Sequence, residues 1–161
     1  MHITIRSATP SDVPLILSFI RGLADYEKLA HEVNATEEGL RESLFGGTRG
    51  AEVLIAEAGR EPAGFALFFH NFSTFLGRHG LYLEDLFVKP EWRGHGIGRK
   101  LLTHLAQLAE QRGCGRLEWV VLDWNEPAIR FYRSLGARMM QDWRVFRLTG
   151  EELKELARPE A

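Results

Sequence analysis

The chain has 161 residues, 45% of them hydrophobic and 26% charged, with a formal net charge of −2 at pH 7. That length suits one domain with a substantial core, and the charge balance excludes a general attraction to nucleic acid or to anionic membrane. A lone cysteine, Cys114, excludes an internal disulfide, and the chain shows neither a signal-like apolar run nor a segment of bilayer length, so one cytoplasmic domain over residues 1–161 is expected.

Ile3 and Ile5 alternate with polar residues from His2 to Arg6, the period of a half-buried strand. Thr9, Pro10 and Asp12 supply a cap, a first-turn proline and a first-turn acid. They open a helix whose apolar stripe is Val13, Ile16, Leu17, Ile20, Leu23 and Ala24, closing near Tyr26, Glu27 and Lys28. Gly22 within it costs up to about 1 kcal/mol relative to alanine, which points to a break or a close contact there. Thr36, with Glu37 and Glu38 behind it, opens a short second helix that ends near Gly46. Glu52–Ala58 and Ala63–Phe72 read as strands, and the dense run Phe65 to Phe69 implies a central strand covered on both faces. Asn71–Gly80 is expected to be a loop.

Leu81–Val88 reads as a buried strand that Pro90 ends. After Arg93-Gly94-His95-Gly96-Ile97-Gly98, apolar residues recur at Leu101, Leu102, Leu105, Leu108 and Ala109, one stripe of a helix reaching Arg112. Arg116–Leu122 gives a further strand, Glu126 and Pro127 open a helix to about Leu135, and Gly136 terminates it. A last strand over Trp143–Leu148 and a short helix over Glu151–Ala157 complete a mixed α/β domain with helices on both faces of its sheet.

Glycines at a helix start let unsatisfied backbone N–H groups approach a ligand, and the helix dipole adds positive potential. With Arg93, Arg99 and Lys100 beside them, they read as a diphosphate cradle. The spacing Gly94-x-Gly96-x-Gly98 is not that of a dinucleotide-binding fingerprint, and no Gly-Lys-Ser/Thr follows as in a P-loop. Glu84 and Asp85 lie inside the strand before the cradle, where neighbouring side chains point to opposite faces. Buried carboxylates are costly unless paired. One of them is therefore either a general base or anchor for a cationic substrate, or it is hydrogen-bonded to a loop N–H. The six histidines show no metal-ligand spacing, so no metal is expected, and His95 is expected to face solvent beside the phosphates.

Arg93-x-x-Gly96-x-Gly98 resembles the coenzyme A loop of the GCN5-related N-acetyltransferase (GNAT) superfamily, whose pattern is Arg/Gln-x-x-Gly-x-Gly/Ala. Asn125, Ala128, Phe131, Tyr132 and Gly136 match its N-x-x-A-x-x-F-Y-x-x-x-G element. Leu23-Ala24-x-Tyr26-Glu27, Gly64-Phe65-Ala66, Tyr82-Leu83-Glu84-Asp85-x-Phe87-Val88 and Trp143-Arg144-x-Phe146 are similar to the diamine (spermidine/spermine) and thialysine acetyltransferase branch. The resemblance spans nearly the whole chain. It implies the acyl-CoA N-acyltransferase fold, with a single twisted, mostly antiparallel sheet, and a homodimer that transfers acetyl from acetyl-CoA to a primary amine. Acetyl-CoA would be held by Phe87, Val88, Arg93, Gly94, His95, Gly96, Ile97, Gly98, Arg99, Lys100, Asn125 and Tyr132. Glu84 would be the base, through water, and Tyr132 the acid. Tyr26, Glu27, Glu84, Asp85, Phe75 and Trp143 would line the amine site. One departure concerns the acceptor: the polyamine enzymes carry an acid and a tryptophan where this chain has Ser73 and Phe75, which removes an attraction for a second ammonium. Another amine class (an amino acid, an aminoglycoside, a protein N-terminus) and a CoA-binding sensor without turnover are the alternatives.

Overall fold

Five strands pair in sequence order into one open sheet: β1 (Ile3–Ser7), β2 (Glu52–Ala58), β3 (Glu61–Ser73), β4 (Arg78–Val88) and β5 (Leu117–Glu118). The first four are mutually antiparallel and β5 joins β4 in parallel. The computed structural model describes residues 1–160, which fall into two units, Met1–Leu122 and a second beginning at Asp123.

In the first unit, α1 (Val13–Tyr26) and α2 (Glu37–Phe45) cover one face of the sheet and α3 (Ile97–Gln111) the other. The α1 face buries Ile16, Phe19, Val53, Ile55, Phe65 and Phe87, with the Phe19 and Phe65 rings stacked 5.2 Å apart. Leu54, Ala56 and Ala66 alternate to the opposite face and are equally buried, as are Ile97, Leu101 and Leu105 of α3. The apolar run in β3 is thus covered on both sides, as its sequence predicts. Asp12 Oδ2 accepts from the Thr9 N–H at 2.7 Å, so a 3₁₀ turn over Pro10–Asp12 leads into α1. Arg6 bonds Asp12 at 2.8 Å and Glu57 at 2.7 Å, and its guanidinium holds the Asp12 carboxyl at about 2. Helix α1 runs unbroken through Gly22, which is instead the close contact: a Cβ there would lie 2.8 Å from Phe87 Cζ.

Two expectations in this unit are corrected. The β3–β4 ladder continues to Ser73–Arg78, so most of Asn71–Gly80 is hairpin rather than loop. Its tip is held by the Leu76 N–H donating to Ser73 Oγ and by a left-handed Gly77. The strand expected over Arg116–Leu122 shrinks to two residues, because β5 meets β4 only at Leu117–Leu81 and Glu118–Tyr82. Just beyond, β4 bulges: Phe68 faces Leu83 and Leu67 faces Asp85, leaving Glu84 without a counterpart. A bulge bends and twists its strand, and here the two strands part.

In the second unit, α4 (Glu126–Ser134) and α5 (Gly150–Ala157) form as expected, and Gly136 adopts φ 91 beyond the end of α4. Trp143–Leu148 is not a strand. Among the described residues of this unit no strand offers it a ladder, and Trp143, Val145 and Phe146 stand exposed.

Candidate active site

Strand β4 ends where Pro90 starts a single 3₁₀ turn, and the chain enters the glycine loop. Gly94 (φ 79) and Gly96 (φ 77) are both left-handed, a conformation that disfavours any side chain. The space a Cβ would fill is open at both. Gly96 precedes α3 and provides no side-chain cap, and the Lys100 N–H is the one that bonds back to its carbonyl, at 3.0 Å. The N–H groups of Ile97, Gly98 and Arg99 therefore head the helix without a partner within it. Ile97, Leu101 and Leu105 anchor the helix in the core, while Arg99 and Lys100 are exposed at its start. Open left-handed glycines, uncapped amides and two cations fit a diphosphate such as that of coenzyme A.

His95 is exposed, as expected, and is also tied into the loop. Its Nδ1 lies 3.0 Å from the Arg93 carbonyl and 3.2 Å from that of Trp92, so the Nδ1–H tautomer donates inward. Arg93 turns away from the glycines. Its Nε donates to the Val88 carbonyl at 3.0 Å, and its guanidinium sits 4.9 Å from the centre of the Tyr26 ring and 5.6 Å from that of Phe87. No local pattern predicts this contact, because the residues come from α1, β4 and the loop.

The bulge at Glu84 upsets the simple alternation expected for the two acids. Glu84 is exposed, and Asp85 is largely buried beside it. Burial, then the charges of Glu84 and Glu27, push the Asp85 carboxyl up to about 6. Glu27, at the end of α1 next to Tyr26, is also raised by burial. Burial raises the Tyr82 phenol too, helped by Glu84 and Glu118. Among the described residues, no side-chain hydrogen bond or ion pair engages Glu27, Glu84 or Asp85. Three acids from α1 and β4 share one field on the strand that leads into the cradle.

Phe75 and Ser73 belong to the β3–β4 hairpin, and Asn125, Tyr132 and Trp143 to the second unit. Phe75 is 99% exposed at the hairpin tip and is not brought against Tyr26, Glu27, Glu84 or Asp85. Ser73, where the polyamine enzymes carry an acid, accepts a hydrogen bond from Arg116 Nη2 at 2.5 Å. In the second unit, Asn125 is buried and caps α4, accepting from the Ala128 N–H at 3.4 Å. Tyr132 is half-buried on α4, its ring 5.6 Å from that of Phe131. Trp143 is 74% exposed. Among the described residues no group of three or more His, Cys, Asp or Glu side chains could hold a metal ion, and no helix is long and apolar enough to cross a membrane.

A family model described as "Acetyltransferase (GNAT) family" matches residues 20–137. The chain is 43% identical over 166 aligned positions to a thialysine N-epsilon-acetyltransferase of Bos taurus, covering 96% of this chain and 97% of that protein. It is 35% identical to an L-ornithine N5-acetyltransferase of Arabidopsis thaliana, covering 97% and 88% of the two chains. The solved structure of an integron cassette protein from the mobile metagenome of V. cholerae superimposes with a TM-score of 0.82, at 30% identity over 99% of each chain.

Proposed function

The chain belongs to the acetyltransferase (GNAT) family and is an acetyl-CoA-dependent N-acetyltransferase, and from that premise we propose that its acceptor is the primary amine of a small diamine, polyamine or lysine-like molecule. Acetyl-CoA, when bound, supplies the acetyl group as an activated thioester. The single observation that carries the acceptor is the group of three carboxylates, Glu27, Glu84 and Asp85, on the approach to the cradle. Such a field attracts an ammonium, and the loss of an acid at Ser73 favours an acceptor with one cationic end over a long polyamine.

Residue roles follow from chemistry. Main-chain amides of Gly94 to Arg99, with Arg99 and Lys100, would hold the diphosphate. Phe87 and Val88 main chain would bind the pantetheine arm, and a backbone N–H near Val88 would polarise the thioester carbonyl. An alkylammonium of pKa near 10.4 must lose a proton before its nitrogen attacks. Glu84, exposed and carrying no competing bond, would take that proton through a water molecule. The phenol of Tyr132 would return one to the departing thiolate. Tyr26, next to Glu27 and under Arg93, would line the approach of the amine.

A homodimer is part of this proposal. It is supported by the resemblance to the diamine and thialysine enzymes and by the exposed Trp143, Val145 and Phe146. The deciding experiment is thiol release from acetyl-CoA with thialysine, L-ornithine, L-lysine and spermidine as acceptors. Release is expected with thialysine and L-ornithine. Tight coenzyme A binding with no release across the panel would instead favour the sensor reading.

A further inference from the structure

We propose that a cavity at the start of β2 is a second binding site, separate from the acetyl-transfer site, and that it takes a small organic carboxylate with an apolar body. Strand β1 stops early. The Ala8 N–H donates to the Val53 carbonyl at 2.9 Å, and beyond that bond no strand flanks Ala51 and Glu52 on this side among the described residues. The space between this corner of the sheet, the end of α2 and the second half of α3 is a cavity of about 200 Å³. Sites for drug-sized ligands hold roughly 300–1,000 Å³, so the occupant here is small. The connection carrying Arg49 to the cavity is folded back on α2 by the Gly50 N–H, which donates to the Ser43 carbonyl at 2.8 Å.

The charged and titratable residues lining the cavity are Arg49, Glu52, His104 and Arg112. Glu52 is already engaged. Arg112 donates to both its oxygens, from Nη1 at 2.7 Å and from Nη2 at 2.9 Å, and Nη1 also lies 3.4 Å from His70 Nε2. Arg112 first, then the charges of His70 and Arg49, hold the Glu52 carboxyl below its ordinary value. Arg49 is the open cation: it forms no hydrogen bond and has no carboxylate within 4.0 Å among the described residues. His104, half-buried, likewise forms no hydrogen bond there. Two arginines against one carboxylate leave one positive charge over, which suits a monoanion and repels an ammonium. The guanidinium fork of Arg49 matches a carboxylate through two parallel N–H···O bonds, and His104 adds a further N–H.

The body of the ligand follows from the other walls. Leu44, Leu54, Phe68 and Leu108 present apolar surface to the same cavity, and the Arg112 guanidinium lies 5.9 Å from the centre of the Phe68 ring. Apolar walls with a few convergent polar groups are the composition of a small-molecule site, and a bare anion would leave those walls wet. The cradle is elsewhere on the same helix: His104 and Arg112 lie seven and fifteen residues beyond Ile97, about 10 Å and 22 Å along the axis at 1.5 Å per residue.

The test is titration of the full chain with benzoate, followed by the amide and imidazole chemical shifts in NMR. Saturable shifts are expected at Arg49–Leu54 and His104–Arg112, with half-saturation below ~10 mM. Acetate keeps the charge without the body and benzamide the body without the charge, so each should bind at least ~10-fold more weakly. Inorganic phosphate should do no better than acetate. Arg49→Gln should weaken benzoate binding at least ~10-fold, and Arg49→Lys, which keeps the charge, should lose less. Arg49 is exposed, so neither change disturbs the core. Saturating coenzyme A should leave benzoate binding unaltered. Shifts that never saturate, affinity indifferent to Arg49→Gln, acetate, benzamide or phosphate matching benzoate, or displacement of benzoate by coenzyme A would each overturn this site. None of these results bears on the acetyltransferase reading, which the thiol-release assay decides.

Discussion

The Phe87 ring occupies the space that a side chain at position 22 would need: a Cβ on Gly22 would come within 2.8 Å of its Cζ and 2.9 Å of its Cε1. Phe87 is itself held edge-on to Phe19 at 6.2 Å and lies under Arg93, so the ring has little freedom to retreat. Gly22→Ala gains up to about 1 kcal/mol of helix propensity and loses ~1–3 kcal/mol to overpacking. The expected outcome is a net loss on the order of 1 kcal/mol, read as a lower urea midpoint with unchanged slope. A higher midpoint would show that the ring yields.

Asp85 makes stability depend on pH in the sense opposite to Asp12. Its carboxyl stands at about 6 in the folded chain against an ordinary 3.8, so the folded state holds this proton more tightly. Stability from this group is complete below about pH 4 and is lost as pH rises to about 6, a change on the order of 2–3 kcal/mol. Asp12, held at about 2 by Arg6, contributes fully above about pH 4 and loses its contribution as pH falls toward 2. Asp85→Asn should therefore raise the denaturation midpoint at pH 7 and flatten the decline between pH 4 and 6. A variant less stable at pH 7 would contradict the burial of an uncompensated charge.

Gly96→Ala forces a left-handed residue to carry a side chain, at about 1–2 kcal/mol, and places a methyl in the open space of the cradle. The melting temperature should fall by several degrees, and coenzyme A should bind at least ~10-fold more weakly, a deficit of roughly 1.4 kcal/mol or more. Titration with coenzyme A checks it. Unaltered affinity would remove the cradle from the mechanism.

Tyr132→Phe deletes the proposed proton donor and leaves the ring. A general acid contributes about 10²–10⁴-fold, so kcat should fall by ~100-fold or more with coenzyme A affinity unchanged. Glu84→Gln should lower kcat similarly at neutral pH and recover part of it at high pH, where more of the amine is already neutral. Turnover indifferent to either change would strike that residue from its role.

Phe146→Glu places a charge on a side chain that is 95% exposed in the isolated chain. If Trp143, Val145 and Phe146 lie at a subunit interface, sedimentation should show a dimer for the unaltered chain and a monomer for this variant. Two identical profiles would exclude that interface.

The sequence was most legible where one residue type dictates the backbone. Pro90, Gly96 and the 3.6-residue stripe from Ile97 mark the end of β4 and the start of α3 to within a residue. Gly22 pointed to a break or a close contact, and the structure shows the contact, with Phe87. Pairing partners were less legible, because they depend on residues far away in the chain. Asn71, Phe72 and Ser73 fall in the stretch expected as loop, and their ladder with Gly80, His79 and Arg78 makes them strand. Trp143–Leu148 has the composition of a strand, but among the described residues of its unit there is no strand to ladder with. The bulge at Glu84 leaves no trace in composition, and it decides how the two acids are presented. The placement of Arg93 over Tyr26 arises from three separate elements, so no local pattern encodes it.

The sheet zips β4 to β5 for two rungs and then stops. From Leu83 to Val88, alternate peptide groups of β4 face that widening slot rather than a neighbouring strand. Those amides should trade their protons for deuterium faster than the ones facing β3. An elongated guest bearing amides of its own would act there as a temporary extra strand, so slowed exchange along this one edge would map its course through the protein.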